Sequence, residues 1–230
     1  MIRDLVPELK AVLLDAGGVL LMPDPRAAET HLAQFGVAPD VGAMLAAYHA
    51  GMVEIDRLGV ADFGAADRAV ARALGVAEAQ LDAALEAIWR VYQDEPWIAI
   101  PGVARQLERL RDAGYALAVV SNASGTVEQQ LASHRVCSVD GKEAAEVAVV
   151  VDSHRVGVEK PDPAIFSFAL DALGLPPSSC IHVGDSVHFD VNGARAAGIE
   201  PVHVTSGSPC AVSGHHCARS LEAVVEDLLS

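Results

Sequence analysis

Apolar residues in this chain fall in short unbroken runs that stop abruptly at polar residues. The first run, residues 11–14, is closed by Asp15 and then Gly17 and Gly18. The second, 116–120, leads straight into Ser121 and Asn122, and the third, 147–151, ends at Asp152. The fourth, 180–183, ends in Gly184 and Asp185, and the fifth covers 201–204. Continuous rather than alternating hydrophobicity predicts parallel strands buried on both faces. Helical spacing fills the intervals. Val103, Leu107 and Leu110 share a face before Gly114, a second helix opens at Pro163 and stops at Gly174, a third runs from Gly193 to Gly198, and 221–229 forms the last. Strands alternating with helices predict a doubly wound parallel α/β sheet, Rossmann-like in its winding. In such sheets ligands bind outside the carboxyl ends of the strands, where the polar residues named above fall.

Residues 26–95 break this rhythm. They are Ala-rich with helical spacing throughout, as in Leu81, Leu85, Ile88 and Trp89, and contain no strand pattern. The expected organisation is therefore an α/β core made of 1–25 and 96–230, with a small helical insertion at 26–95. Residues 206–220, rich in Gly, Ser and His, read as a loop before the last helix.

Composition narrows the possible partners. The chain is 51% hydrophobic but only 4% aromatic, so Val, Leu, Ile and Ala must fill the core. It carries 31 acidic against 16 basic residues, a net charge of −15. Such a surface repels a phosphate backbone and argues against nucleic acid. An anionic substrate would need a bound cation or a local basic group. The first ten residues lack the apolar core of a signal peptide, and no run approaches the roughly 20 apolar residues of a membrane span. A soluble, cytoplasmic protein with no membrane partner is expected. Cys137, Cys180, Cys210 and Cys217 form no CxxC pair and read as free thiols.

Four local signals fall in order at strand ends. They are Asp15 in Leu-Asp-Ala-Gly-Gly-Val-Leu; Ser121-Asn122; Lys160 in Val-Glu-Lys-Pro-Asp-Pro; and Gly184-Asp185-Ser186 followed by Asp190, Gly193 and Ala194. With these four motifs and the helical insertion after the first, nearly the whole chain resembles the haloacid dehalogenase superfamily, in its members with a helical cap. The chemistry of the residues agrees. A carboxylate such as Asp15 can attack phosphorus and split hydrolysis into two easier steps. Asp15 and Asp185 offer the hard oxygen ligands that Mg²⁺ prefers. Ser121 and the backbone amide of Asn122 suit phosphate oxygens, and Lys160 supplies a point charge that offsets carboxylates and holds the phosphoryl group. The resemblance further implies that the carbonyl of Gly17 and the carboxylate of Asp190 belong to the metal site. It implies a Mg²⁺-dependent hydrolase of a small phosphorylated metabolite, acting as a monomer or homodimer.

One departure matters. The phosphatase form of the first motif is Asp-x-Asp, whose second Asp is the general acid and later the general base. Here that position is Gly17. The metal role of its carbonyl survives; the proton-transfer role, generally about 10² to 10⁴-fold in rate, does not. Another side chain, from the cap or His188, could move the proton, or the substrate could have a good leaving group or assist with its own hydroxyl. Three other readings stay open. A carbon–halogen hydrolase needs no acid for its halide, but such members tend to lose the acidic metal site that Asp185 and Asp190 retain. A phosphonate-cleaving enzyme needs a cap lysine, and residues 26–95 contain none. A non-catalytic phospho-ligand sensor has no need of the nucleophile.

Asp24, Arg26, His31, Tyr48, His49 and Arg57 are candidates to select substrate from the cap, Arg26 foremost. His182, inside the fourth strand, reads as a hydrogen-bonded core histidine. Cys210, His215, His216 and Cys217 could be written as a zinc set, but their spacing matches no standard pattern and one short loop has trouble reaching a tetrahedron. A plain exposed loop is the expectation there.

Overall fold

A computed structural model describes residues 1–93, 97–142, 144–207, 210 and 212–230. The chain forms two compact units, Met1–Leu20 with Ala99–Ser230, and Leu21–Ile98. The domain boundary expected between residues 95 and 96 lies outside the described residues.

The first unit is built on a six-stranded parallel sheet. Its strands are β1 (Ala11–Leu14), β2 (Ala116–Ser121), β3 (Val150–Asp152), β4 (Cys180–Gly184), β5 (Glu200–Val204) and β6 (His216–Ala218). Their spatial order is β6-β5-β4-β1-β2-β3, and every pairing in the sheet is parallel. β1 is central, with Leu14 level with Val119 of β2 and Val183 of β4. All four of its residues are buried, as an uninterrupted apolar run between helical layers requires. On one face Ala11, Leu13, Ala118 and Val120 pack against Ile165, Phe166 and Ala169 of the helix Ala164–Leu173, and against Ala194. Phe166 lies fully inside this cluster, so truncating it to Ala would cost about 3–5 kcal/mol.

Two strand expectations change. The third apolar run begins pairing before β3 proper, because the Ala148 amide donates to the Leu117 carbonyl at 2.8 Å and the Val119 amide to the Val149 carbonyl at 3.0 Å. The segment expected to be a loop at 206–220 contains β6, an edge strand of three residues paired, among the described residues, with β5 alone. His-Cys-Ala has no apolar run to announce it; backbone pairing to β5 makes it a strand.

The second unit is helical. Its helices are Pro25–Leu32, Val41–Leu58, Phe63–Ala73 and Leu81–Gln93. Asp24, Asp40 and Asp62 cap the first three, accepting from the amides of Arg26, Ala43 and Ala65 at 2.9, 2.7 and 3.0 Å. Gly51 lets the second helix approach the third closely, since a Cβ there would lie 2.9 Å from Val70 Cγ2. Among the described residues no helix is long and apolar enough to cross a membrane.

Candidate active site

The carboxyl ends of β1, β2 and β4 gather one buried polar cluster. Asp15 directly follows β1, and its amide donates to the Val183 carbonyl of β4 at 2.8 Å, which continues the ladder one residue past the strand. The chain then turns, with the Leu20 amide returning to the Ala16 carbonyl at 2.8 Å and Gly18 taking a positive φ of 68°. Asp15 Oδ1 accepts from the Ala16 amide at 2.7 Å and pairs with Lys160 Nζ at 2.9 Å.

Lys160 is 1% exposed, and its ammonium also donates to Asp190 Oδ1 at 2.6 Å. Its backbone is clamped from β2's end. The Asn122 side chain accepts from the Lys160 amide at 2.7 Å and donates to the Lys160 carbonyl at 2.9 Å. Both backbone groups of one residue thus meet one carboxamide, which fixes where the lysine leaves the chain. Ser121 is buried as the last residue of β2. Asp152 steadies the neighbouring loop, accepting from the amides of Gly125 at 2.9 Å and His154 at 3.0 Å.

After β4 the backbone passes through Asp185 and Ser186 into a π-helical turn, Val187–Val191, which carries Asp190. Ser186 caps that turn by accepting from the Phe189 amide at 3.2 Å. The wide turn is the device that brings Asp190 back over its own strand. Asp190 Oδ2 accepts from the Ser186 amide at 3.1 Å, while Oδ1 receives His182 Nε2 at 2.8 Å beside Lys160. His182 rests edge-on against Phe166, ring centroids 4.9 Å apart, so the apolar core sets the position of the site's deepest carboxylate. The close approach also demands glycine at 184, because a Cβ there would overlap the Cβ and Cγ of Asp190.

Electrostatics follow from burial and pairing. Burial alone would raise the Asp190 carboxyl, but Lys160 and His182 outweigh it and hold the group well below the usual carboxylate range. Burial likewise pushes the Asp15 carboxyl up, and here it prevails over the attraction of Lys160. Lys160 itself is raised: burial disfavours its charge, yet Asp15 and Asp190 more than compensate. Carboxylate oxygens of Asp15, Asp185 and Asp190 all lie within 4.8 Å of one another, and all three residues are buried. Lys160 offsets only part of that negative charge, and buried carboxylates without compensation are strongly unfavourable. An all-oxygen, anionic, solvent-shielded set of this kind fits a small hard cation such as Mg²⁺.

The structure therefore brings Asp15, Lys160, Asp185 and Asp190 together and puts Ser121 and Asn122 at the adjoining strand end. Asn122 acquires a role not read from its type, as the clamp on Lys160. Gly17 lies two residues beyond Asp15 and contributes no side chain. His188 is half-buried and edge-on to Phe189, centroids 4.8 Å apart. In the helical unit Arg26 pairs with the Asp24 cap at 2.6 Å and Arg57 with Glu54 at 2.7 Å. His49 Nδ1 meets the Leu45 carbonyl at 2.9 Å, and Tyr48 stacks edge-on with Trp97 at 5.5 Å. His31 lies half-buried at the end of Pro25–Leu32. Sequence reasoning missed His203 of β5, whose Nε2 lies 3.2 Å from the Asp185 carbonyl oxygen. Its only signal was a histidine set in the apolar run 201–204.

Comparison with known proteins agrees with this architecture. A family model described as haloacid dehalogenase-like hydrolase matches residues 9–198. A phosphoserine phosphatase of Thermus thermophilus is 36% identical over 101 residues, covering 44% of this chain and 38% of that protein. The chain spans about a third to a half of the length of the curated relatives it matches. The crystal structure of an HAD phosphatase from Thermococcus onnurineus superposes with a TM-score of 0.61 at 24% identity, covering 96% of this chain and 98% of that one. A solved dehalogenase also superposes with a TM-score of 0.61, at 25% identity over 98% of this chain and 100% of its own.

Proposed function

This chain belongs to the haloacid dehalogenase-like hydrolases, and from that premise we propose that it is a Mg²⁺-dependent phosphatase of a small phosphorylated metabolite, with Asp15 as nucleophile. The observation that carries the reading is the buried bridge from Lys160 to Asp15 at 2.9 Å and Asp190 at 2.6 Å, with Asp185 alongside. Asp15, Asp185 and Asp190, with the Gly17 carbonyl, are the groups to hold the ion. Bound there, Mg²⁺ would offset charge on the transferring phosphoryl group. The helical unit Leu21–Ile98 is taken as the cap that selects substrate.

An Asp15 carboxylate oxygen attacks phosphorus, and the bond to the leaving oxygen breaks with its electron pair. Water then attacks the same phosphorus, releasing phosphate and restoring Asp15. Lys160 steers one Asp15 oxygen by hydrogen bonding and leaves the other to react. Ser121 and the Asn122 amide hold phosphoryl oxygens. Asp190 anchors Lys160 and does not itself attack. With Gly17 in place of an acid, position 17 supplies no proton to the leaving oxygen, so activated leaving groups are favoured.

The test is hydrolysis of aryl phosphates graded by leaving-group acidity, with and without Mg²⁺, beside Gly17→Asp. Mg²⁺-dependent turnover that falls steeply as the leaving group worsens supports the reading, as does a gain of about 10² to 10⁴-fold on poor leaving groups in Gly17→Asp. No turnover of any ester, with Mg²⁺ bound, would overturn it. Gly17 and the likeness to a solved dehalogenase favour carbon–halogen cleavage as the second reading, in which the halide departs without a proton. The retained Asp185 and Asp190 weigh against it.

A further inference from the structure

Outside the catalytic cluster, four side chains converge at the sheet edge in a way the catalytic reading does not use. We propose that His203, Cys210, His215 and Cys217 form a tetrahedral Zn²⁺ site that fastens the segment between β5 and β6. Their ligand atoms all lie within 4.8 Å of one another. Cys210 Sγ is 3.4 Å from His203 Nδ1 and 3.3 Å from His215 Nε2, and those two nitrogens are 3.3 Å apart. A tetrahedron with ordinary zinc bond lengths to nitrogen and sulfur has edges of about 3.3–3.8 Å, so these separations are already those of a ligand shell. Two thiolates and two neutral imidazoles suit zinc far better than Mg²⁺ or Ca²⁺.

The objection that one short loop cannot reach around an ion falls away, because the fourth ligand is not His216. It is His203, on β5, so the ion is approached from a sheet strand on one side and the loop on the other. His215 lies just before β6 and Cys217 within it, and the ligand atoms of both fall in the same cluster as His203 and Cys210, whereas His216 between them is not part of that cluster. His203 is oriented as ligating histidines usually are: Nδ1 faces the cluster while Nε2 lies 3.2 Å from the Asp185 carbonyl oxygen, to which an N–H there would donate. The site is thus joined by one hydrogen bond to the backbone of an acidic residue in the catalytic cluster.

Between residues 205 and 220 none of the described residues is fully buried, so among them apolar burial offsets little of the entropy of holding this loop in one conformation. Its ends are tied by the Thr205 amide to the Ala218 carbonyl at 2.9 Å, and Arg195 donates to the Gly214 carbonyl. Cys210 Sγ also lies 3.2 Å from the Val212 carbonyl oxygen, the contact a thiol makes until it is deprotonated by a metal.

The test uses the full chain, purified under reducing conditions without chelator. Elemental analysis should find one zinc per chain that survives dialysis. Replacement by Co²⁺ should give the intense visible bands of a tetrahedral ion together with thiolate-to-cobalt charge transfer, which the all-oxygen acidic cluster cannot produce. Cys210→Ser and Cys217→Ser should each remove the charge-transfer band in part and weaken zinc retention, while His216→Ala leaves both unchanged. Should the cysteine variants fail to fold, blocking thiols in the unmutated protein with a mercurial must release the zinc. Absence of zinc from the reduced protein even after incubation with Zn²⁺ would overturn the proposal. So would cobalt bound without thiolate charge transfer, or equal zinc retention with both thiols blocked.

Discussion

Lys160 donates to Asp190 Oδ1 at 2.6 Å, and both side chains are almost wholly withdrawn from solvent. Two opposite charges this close and this buried are coupled in stability as well as in chemistry. Removing the lysine takes away the buried ammonium that Asp15 and Asp190 share, in a region where carboxylates are costly. Lys160→Met should therefore lose about 3–5 kcal/mol of unfolding free energy along with its activity. Urea unfolding of the two proteins measures the first. An unchanged midpoint would mean that the carboxylates are compensated in some other way.

The pH dependence of stability follows from the directions of the shifts. Asp190 is held below its ordinary value of 3.8, so its contribution is complete above that value and is lost as pH falls through the folded-state value. Lys160 is raised above 10.5, so its contribution is complete below that value and is lost as pH rises through its folded-state value. Asp15, raised by burial, acts in the opposite sense to Asp190, since its protonation relieves a buried charge. The difference between native protein and Asp190→Asn isolates Asp190. Denaturation midpoints below about pH 4 should fall more steeply in the native protein than in the variant. Parallel curves would contradict the pairing.

Gly184 is required by proximity rather than by an unusual backbone angle. Any Cβ would overlap the Cβ and Cγ of Asp190, so Gly184→Ala must push Asp190 away from Lys160 or bend β4. A loss of about 1–3 kcal/mol, typical of overpacking, should accompany a large loss of turnover. Normal stability and turnover in this variant would show that the turn bearing Asp190 yields freely.

Asn122 tests positioning apart from chemistry. Asn122→Ala removes both hydrogen bonds to the Lys160 backbone, at 2.7 and 2.9 Å, yet deletes none of the reacting side chains. Misplacing Lys160 by about an ångström should lower kcat by about 10²-fold with little change in KM. Steady-state kinetics on an activated phosphate ester separates these. A change in KM alone would assign Asn122 to substrate binding instead.

Much of this was legible in the chain because parallel strands buried on both faces read as unbroken apolar runs, as in 11–14 and 180–183. The polar residue that ends each run then falls at the carboxyl edge of the sheet, so Asp15, Ser121 and Asp185 could be placed from spacing alone. Other features were not legible, for physical reasons. β6 is an edge strand of three residues without an apolar run, made a strand by its neighbour. The π-helical turn that returns Asp190 over β4 depends on one extra residue per turn, which periodicity over five residues cannot resolve. The carboxamide clamp of Asn122 spans 38 positions, and His203 faces the Asp185 backbone from a separate strand. Such contacts arise from strand order, which a linear pattern does not encode.

The proposed mechanism makes Asp15 carry the phosphoryl group during turnover. Rapid acid quenching of the protein with excess aryl phosphate and Mg²⁺, followed by peptide mass analysis, tests it most directly. Without a general base at position 17, attack by water should be slow enough for the intermediate to accumulate. The expected result is one phosphoryl group on the peptide containing Asp15, absent without Mg²⁺ and absent from an inactive Asp15→Asn variant. Phosphate release with undiminished rate in Asp15→Asn, or a phosphoryl group on another residue, would contradict the account.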